Sequence, residues 1–158
     1  MALTTVPAQP LPPASPPSAL PFAWPVRVYW EDTDAGGIVY HASYVRFMER
    51  ARTEWLRSKG MGQLQAQQQW GGLFVVSQLS LRYLTPARLD DVLHITAEPL
   101  EWGRASMTLR QRILRAEPAP QDNAAAPLLC EAQVKVGWVD AASLRPARIP
   151  DPVRTLFL

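Results

Sequence analysis

Apolar residues in this chain follow two different periods. Between Ser43 and Lys59 they stand at Tyr44, Val45, Phe47, Met48, Ala51, Trp55 and Leu56, at offsets of 0, 1, 3, 4, 7, 11 and 12. Those offsets fall on one face of an α-helix. Arg46, Glu49, Arg50, Arg52, Glu54 and Arg57 take the opposite face, with Arg46 and Glu49, and Arg50 and Glu54, spaced for pairing. Ser43 is the expected N-cap and Gly60 the expected C′ residue. Elsewhere the period is two. Val26 to Trp30 reads as a short first strand. After the helix, Leu73, Val75, Leu79, Leu81 and Tyr83 alternate with polar residues, as do Leu93, Ile95 and Ala97. Ala105, Met107, Leu109 and Ile113 make a third run, and Leu128, Cys130, Ala132, Val134, Val136 and Trp138 a fourth. Each has the period of a half-buried strand.

The connections carry turn chemistry. Gly62 to Trp70 reads as a short Gln-rich helix, broken by Gly71 and Gly72. Pro86 marks a turn. Glu101-Trp-Gly-Arg104 makes a tight connection in which Gly103 is the expected left-handed residue. Residues 117–127 lack any apolar period and should form an exposed loop, and a brief helical tail is expected after Arg148-Ile-Pro-Asp-Pro. The order is strand, long helix, then four strands, each with one apolar face. One five-turn helix cannot cover both sides of such a sheet, so the expected architecture is α+β: a curved antiparallel five-stranded sheet wrapped around one long central helix. Its edge strands invite continuation into a second copy, so a homodimer is expected.

Composition changes this picture at the N-terminus. Eight prolines fall within the first 25 positions, which excludes a sustained helix or sheet ladder there. Residues 1–25 are therefore expected to be a disordered proline-rich tail, and 26–158 a single domain. The remainder is of ordinary globular composition, 47% hydrophobic, with a formal charge of only +2. Its arginines are scattered, which argues against nucleic acid as a partner. A single cysteine, Cys130, excludes an internal disulfide or a cysteine-cluster metal site, and its strand position reads as a small buried hydrophobe. No apolar run reaches the length of an integral membrane segment, and no secretory signal pattern is present, so a cytoplasmic location is expected.

The chemistry concentrates in Trp30-Glu-Asp-Thr-Asp-Ala-Gly-Gly-Ile-Val-Tyr-His-Ala-Ser-Tyr44. Three carboxylates, a glycine pair and a histidine run directly into the helix. Glycine lets backbone approach a ligand, and a helix start offers unpaired N–H groups to negative charge. From residue chemistry alone three readings stay open. Glu31, Asp32, Asp34 and His41 could ligate a metal; the loop could be a solvated turn capping the helix; or a catalytic carboxylate could stand beside an oxyanion site.

The run from Tyr29 to Leu56, with that loop inside it, strongly resembles the 4-hydroxybenzoyl-CoA thioesterase-like hotdog family, and within it the Tol-Pal-associated acyl-CoA thioesterases of Gram-negative bacteria. Phe47-Met-Glu-Arg-Ala-Arg-Thr-Glu-Trp-Leu56 and Tyr83-Leu-Thr-Pro-Ala-Arg-Leu-Asp-Asp91 belong to the match. The resemblance covers about residues 26–140. It implies a hotdog fold, hydrolysis of acyl-CoA thioesters, no metal or redox cofactor, and assembly as a homodimer or tetramer. Asp34 matches the family's catalytic aspartate. His41 matches the position whose backbone N–H polarises the thioester carbonyl. Asp34 would act as general base on water or as direct nucleophile. The His41 side chain could orient water, assist proton transfer or only bond the loop. Gly37, Val39 and Tyr40 fall in the expected substrate-binding set, although Val39 and Tyr40 could equally be packing residues. Arg104 resembles a basic position that contacts CoA phosphates. Glu31 and Asp32 are expected to fix the loop, and His94 to lie at the surface or an interface.

Two rival functions follow. A dehydratase or hydratase on the same fold would pair an acid with a His-Gly-Pro pattern, which this sequence lacks. A non-catalytic acyl-CoA-binding or protein-interaction module would bind acyl-CoA without turnover, and the proline-rich tail is the feature that speaks for it.

Overall fold

A computed structural model describes residues 22–117 and 125–157. Most of the expected tail and most of the 117–127 loop lie outside the described residues. The elements run β1 (Phe22–Arg27), a 3-10 turn (Trp30–Asp32), α1 (His41–Ser58), α2 (Gln63–Trp70), β2 (Gly72–Tyr83), β3 (Val92–Trp102), β4 (Ser106–Glu117), β5 (Leu128–Asp140) and α3 (Asp151–Thr155). All neighbouring strands are antiparallel, in the order β1-β3-β4-β5-β2. The sheet curves around α1, as the alternation of the strands and the single long apolar helix require. No helix among the described residues is long and apolar enough to cross a membrane.

The core is the contact between one face of α1 and the concave face of the sheet. Tyr44, Phe47, Met48, Ala51, Trp55 and Leu56 are all buried there, against Leu93, Ile95, Met107, Leu109, Ile113 and Val134. Fully burying one such side chain contributes about 1.5–3 kcal/mol, so this face outweighs any local propensity in fixing the helix. The helix ends as expected: Gly60 has φ +79° and the Met61 N–H returns to the Leu56 carbonyl at 3.0 Å.

Several elements differ from their sequence expectation. The first strand begins at Phe22 and ends at Arg27, and Trp30 opens the 3-10 turn instead. Pro25 is accommodated because β1 is an edge strand, where a missing N–H leaves only one ladder. Helix α1 starts at His41 with Tyr40 as N-cap, so Ser43 lies inside the first turn rather than capping it. Arg52 is buried, not on the solvent face. The helix glutamates accordingly pair with Arg52 (from Glu49) and Arg57 (from Glu54), not with Arg46 and Arg50. Gly103 is not left-handed. Its value is space, since a Cβ there would lie 3.0 Å from Ser106 Oγ and 3.3 Å from Ser106 O. Finally, β2 is not half-buried along its length. A bulge between Val76 and Gln78 shifts its register against β5 and interrupts the alternation, leaving Val76 and Leu79 exposed.

Arg52 is tolerated in the core because its charge is fully engaged. Its Nη1 donates to Gln111 Oε1 at 2.7 Å and its Nη2 to the Glu49 carboxylate. Gln111 occupies the inward position of β4 between Leu109 and Ile113 and is fully buried. Its Nε2 donates to the carbonyls of Met48 (3.0 Å) and Thr96 (3.3 Å). One side chain thus joins the middle of α1 to two strands. Replacing Gln111 by Leu keeps approximate volume but strips an acceptor from a buried guanidinium. The expected cost is about 1–3 kcal/mol, read as a lower urea midpoint. The double variant Arg52→Met with Gln111→Leu should recover part of that loss, because it removes the orphaned charge as well.

Candidate active site

The loop between β1 and α1 is shaped by its own backbone bonds. Asp32 is buried, and its Oδ2 accepts the Tyr29 N–H at 2.9 Å while its carbonyl accepts the Tyr40 N–H at 2.8 Å. It holds the two ends of the loop together, which is the loop-fixing part expected of it. Glu31 and Asp34 are exposed. Thr33 and Val39 bridge as a two-residue ribbon, closed by Asp34 N–H to Ile38 O at 3.0 Å and Gly37 N–H to Asp34 O at 3.0 Å. Gly37 completes that tight turn at φ +70°, a conformation that a side chain would strain. Asp34 Oδ1 accepts the Gly36 N–H at 2.8 Å, which orients the carboxylate and leaves Oδ2 with no bonding partner among the described residues. A Cβ on Gly36 would stand 3.0 Å from that same Oδ1, so both glycines serve the aspartate.

Helix α1 begins seven residues after Asp34, at His41. Its first two amides, those of His41 and Ala42, have no acceptor among the described residues, as a helix N-terminus requires. The partial positive charge of that end favours an anion. The His41 ring is exposed and lies 4.4 Å from the Tyr40 ring, centroid to centroid, at 57°. Tyr40 is 45% exposed, whereas Val39 is only 2% exposed and packs in the core. Val39 therefore packs beneath the loop. The carboxylates diverge, Asp32 inward and the others outward, and among the described residues no three His, Cys, Asp or Glu side chains converge as a ligand set.

The connection from β2 to β3 braces this loop from behind. The Val39 N–H donates to Ala87 O at 2.9 Å, and the Ala87 N–H donates to Tyr44 Oη at 2.9 Å. Burial raises the Tyr44 pKa above that of a free phenol, so the hydroxyl stays neutral beside that amide. Tyr83 Oη donates to the His41 carbonyl at 2.7 Å. The alternation of β2 presented Tyr83 as one more apolar position, and the only signal for its role was its place in the family-like Tyr83 to Asp91 run.

Arg104 stands apart from this constellation. It lies at the turn between β3 and β4, where its carbonyl accepts from Ile149 and the next carbonyl, that of Ala105, accepts from Trp138. Trp138 pairs with Phe74 near the start of β2, whereas the loop is braced at Tyr83. The nine strand steps between them span about 30 Å. Within one chain, Arg104 and Asp34 are at opposite ends of the sheet. His94 is exposed on β3.

Two side chains yield direct tests. Ser43 is 1% exposed, and its hydroxyl has no hydrogen-bond partner among the described residues. Ser43→Ala should therefore leave stability unchanged or raise it by up to about 1 kcal/mol; a capping serine would instead lose a similar amount. Differential scanning calorimetry separates the two. Cys130 is fully buried and its thiol is pushed up to about 12 by burial, with Glu131 adding to the effect. At pH 8 the native protein should not react with Ellman's reagent, and one thiol should appear on denaturation.

Comparison with known proteins bears on the chemistry of this loop. The profile of the thioesterase-like superfamily matches residues 28–157. The acyl-CoA thioester hydrolase YbgC of Escherichia coli O6:H1 is 47% identical over 136 residues, covering 86% of this chain and 95% of that protein. A probable thioesterase from Bartonella henselae is similar in structure, with a TM-score of 0.71 and 32% identity over 81% of this chain and 98% of that one. A mutant 4-hydroxybenzoyl CoA thioesterase complexed with 4-hydroxybenzoyl CoA shares the fold at a TM-score of 0.76 and 22% identity, covering 85% of this chain and 96% of that one.

Proposed function

Because the chain belongs to the thioesterase-like superfamily, we propose that it hydrolyses acyl-CoA thioesters to the free acid and CoA, with Asp34 as the reacting carboxylate. The observation that carries this reading is the pairing of an exposed, oriented carboxylate at Asp34 with unbonded amides at the start of α1, on one short loop. The likeness to YbgC of Escherichia coli supports the substrate class.

In this mechanism the thioester carbonyl accepts the His41 N–H. As the tetrahedral intermediate forms, its oxygen gains charge against the positive end of an 18-residue helix. One such donor contributes about 3–4 kcal/mol to the transition state. Asp34 either takes the proton of an attacking water or attacks the carbonyl itself, forming a mixed anhydride that water then opens. Both routes expel the CoA thiolate and leave a carboxylic acid. Single turnover in 18O-water separates them, since only the anhydride route can place solvent oxygen in the Asp34 carboxylate. The His41 ring, exposed beside Tyr40, is available to orient the water or relay the proton. Gly37 allows the acyl carbonyl close to the backbone, and Tyr40 supplies the aromatic wall beside it. No metal or redox cofactor has a part in these steps.

The working unit in this reading is a homodimer, or a tetramer built from it, joined through β2. That strand is a sheet edge, and its exposed Val76 and Leu79 share a hollow of about 520 Å³ with Val45 and Val134. Association would cover this apolar surface and complete the unpaired ladder. Arg104 then serves CoA phosphates held at the loop of another copy. The domain includes β1 from Phe22 onward, the proline-rich stretch before it is an appendage, and the expected compartment is the cytoplasm.

The deciding experiment is thiol release from a panel of acyl-CoA thioesters. The parent protein should turn over, and Asp34→Asn, folded by circular dichroism, should lose about a hundredfold or more. Equal rates would remove Asp34 from the mechanism. Tight acyl-CoA binding without turnover by the parent would make the protein a binding module.

A further inference from the structure

The two amides offered by the start of α1 belong to two peptide units, and each unit is held through its carbonyl. The His41 N–H shares a peptide with the Tyr40 carbonyl, which accepts the Ser43 N–H at 2.8 Å. That bond lies within the first turn itself. The Ala42 N–H shares a peptide with the His41 carbonyl, and this one is bonded from outside the helix, by Tyr83 Oη at 2.7 Å. Tyr83 is the last residue of β2 and pairs with Cys130 of β5. Its ring also stands edge-on to Tyr44, 5.4 Å away at 78°. Its position is therefore fixed by the sheet and by a buried neighbour, not by the loop it touches.

We propose that Tyr83 is a positioning residue for the oxyanion site, polarising the Ala42 amide and holding in place the first turn of α1 that presents the His41 amide, from the end of β2. This rests on the thioester hydrolase reading above. Two physical effects follow from the same bond. A hydrogen bond to a carbonyl draws electron density through the amide and strengthens its N–H as a donor. A bond from a rigid strand also restrains the first turn, which otherwise frays because its amides lack partners. Both effects act when charge develops on the substrate oxygen, so the transition state gains more from them than the bound substrate does. Val39 N–H to Ala87 and Ala87 N–H to Tyr44 hold the preceding residues from the same side, which makes Tyr83 the last link of a brace running from the β2–β3 connection to the site.

The test compares the parent, Tyr83→Phe and Asp34→Asn in steady-state hydrolysis of one acyl-CoA, with affinity for its non-hydrolysable thioether analogue measured by calorimetry. Tyr83→Phe keeps the ring and removes only the hydroxyl, and Tyr83 is 49% exposed, so melting should be little changed. The expected result is a kcat at least tenfold lower, with the analogue's Kd within twofold of the parent's and faster amide hydrogen exchange at residues 41–43. A kcat within twofold of the parent, while Asp34→Asn is inactive, overturns the positioning role and leaves the hydrolase reading standing. Equal losses in kcat and analogue affinity also overturn it, making Tyr83 a substrate contact. No turnover by the parent overturns both readings together.

Discussion

The burial of one face of α1 in the concave side of the sheet is the constraint on which the rest of this molecule depends. That contact fixes where the helix begins as well as how it lies. Tyr44 and Phe47 are drawn into the core, and the residues one turn earlier are then held at the sheet's rim. The N-terminus of α1 faces outward because everything after it faces inward. A loop short enough to join β1 to that point brings Asp34 within a few residues of the first helix turn. The candidate site is thus a by-product of core packing, trimmed by two glycines and a buried aspartate.

The polar core network shows what that packing demands of its members. Through Gln111, the helix is bonded at Arg52 and at the Met48 carbonyl to β4, and β4 in turn to the Thr96 carbonyl of β3. Apolar contacts permit a helix to slide or rotate against a sheet at little cost. Directed bonds do not. In the proposed mechanism the first turn of this helix must be placed to within a fraction of an ångström, and pinning its middle in this way serves that placement.

Much of the fold was legible because period alone identifies the faces of α1 and of the later strands. What periodicity misread has physical causes. Gln111 stood at an inward position but was polar, so the apolar run from Ala105 to Ile113 passed over it. Arg52 was assigned to the solvent face on charge, because the partner that makes its burial possible lies 59 residues away. Ser43 has the chemistry of an N-cap, but the cap lies three residues earlier, at Tyr40. Pro25 read as the end of the tail because a proline excludes a central strand; an edge strand admits it. In the site, residue chemistry alone left three readings of the acidic loop, and the family-like sequence around Asp34 and His41 turned the weight toward the catalytic one. Tyr83 was out of reach of any local pattern, since its hydroxyl acts on a backbone 42 residues away.

The two rims of the sheet are unlike each other, and that asymmetry bears on the homodimer proposed above. The β1 rim carries Pro25, which has no amide hydrogen to offer a neighbouring strand. The β2 rim is twelve residues long and carries no proline. A sheet open along both rims would add copies head to tail without limit. One open along a single rim can add only a second copy related by a twofold axis, rim to like rim, and then has nothing left to offer. In the proposed homodimer, a proline that the sequence placed at the end of the tail would weigh against pairing through the β1 rim and in favour of the β2 rim.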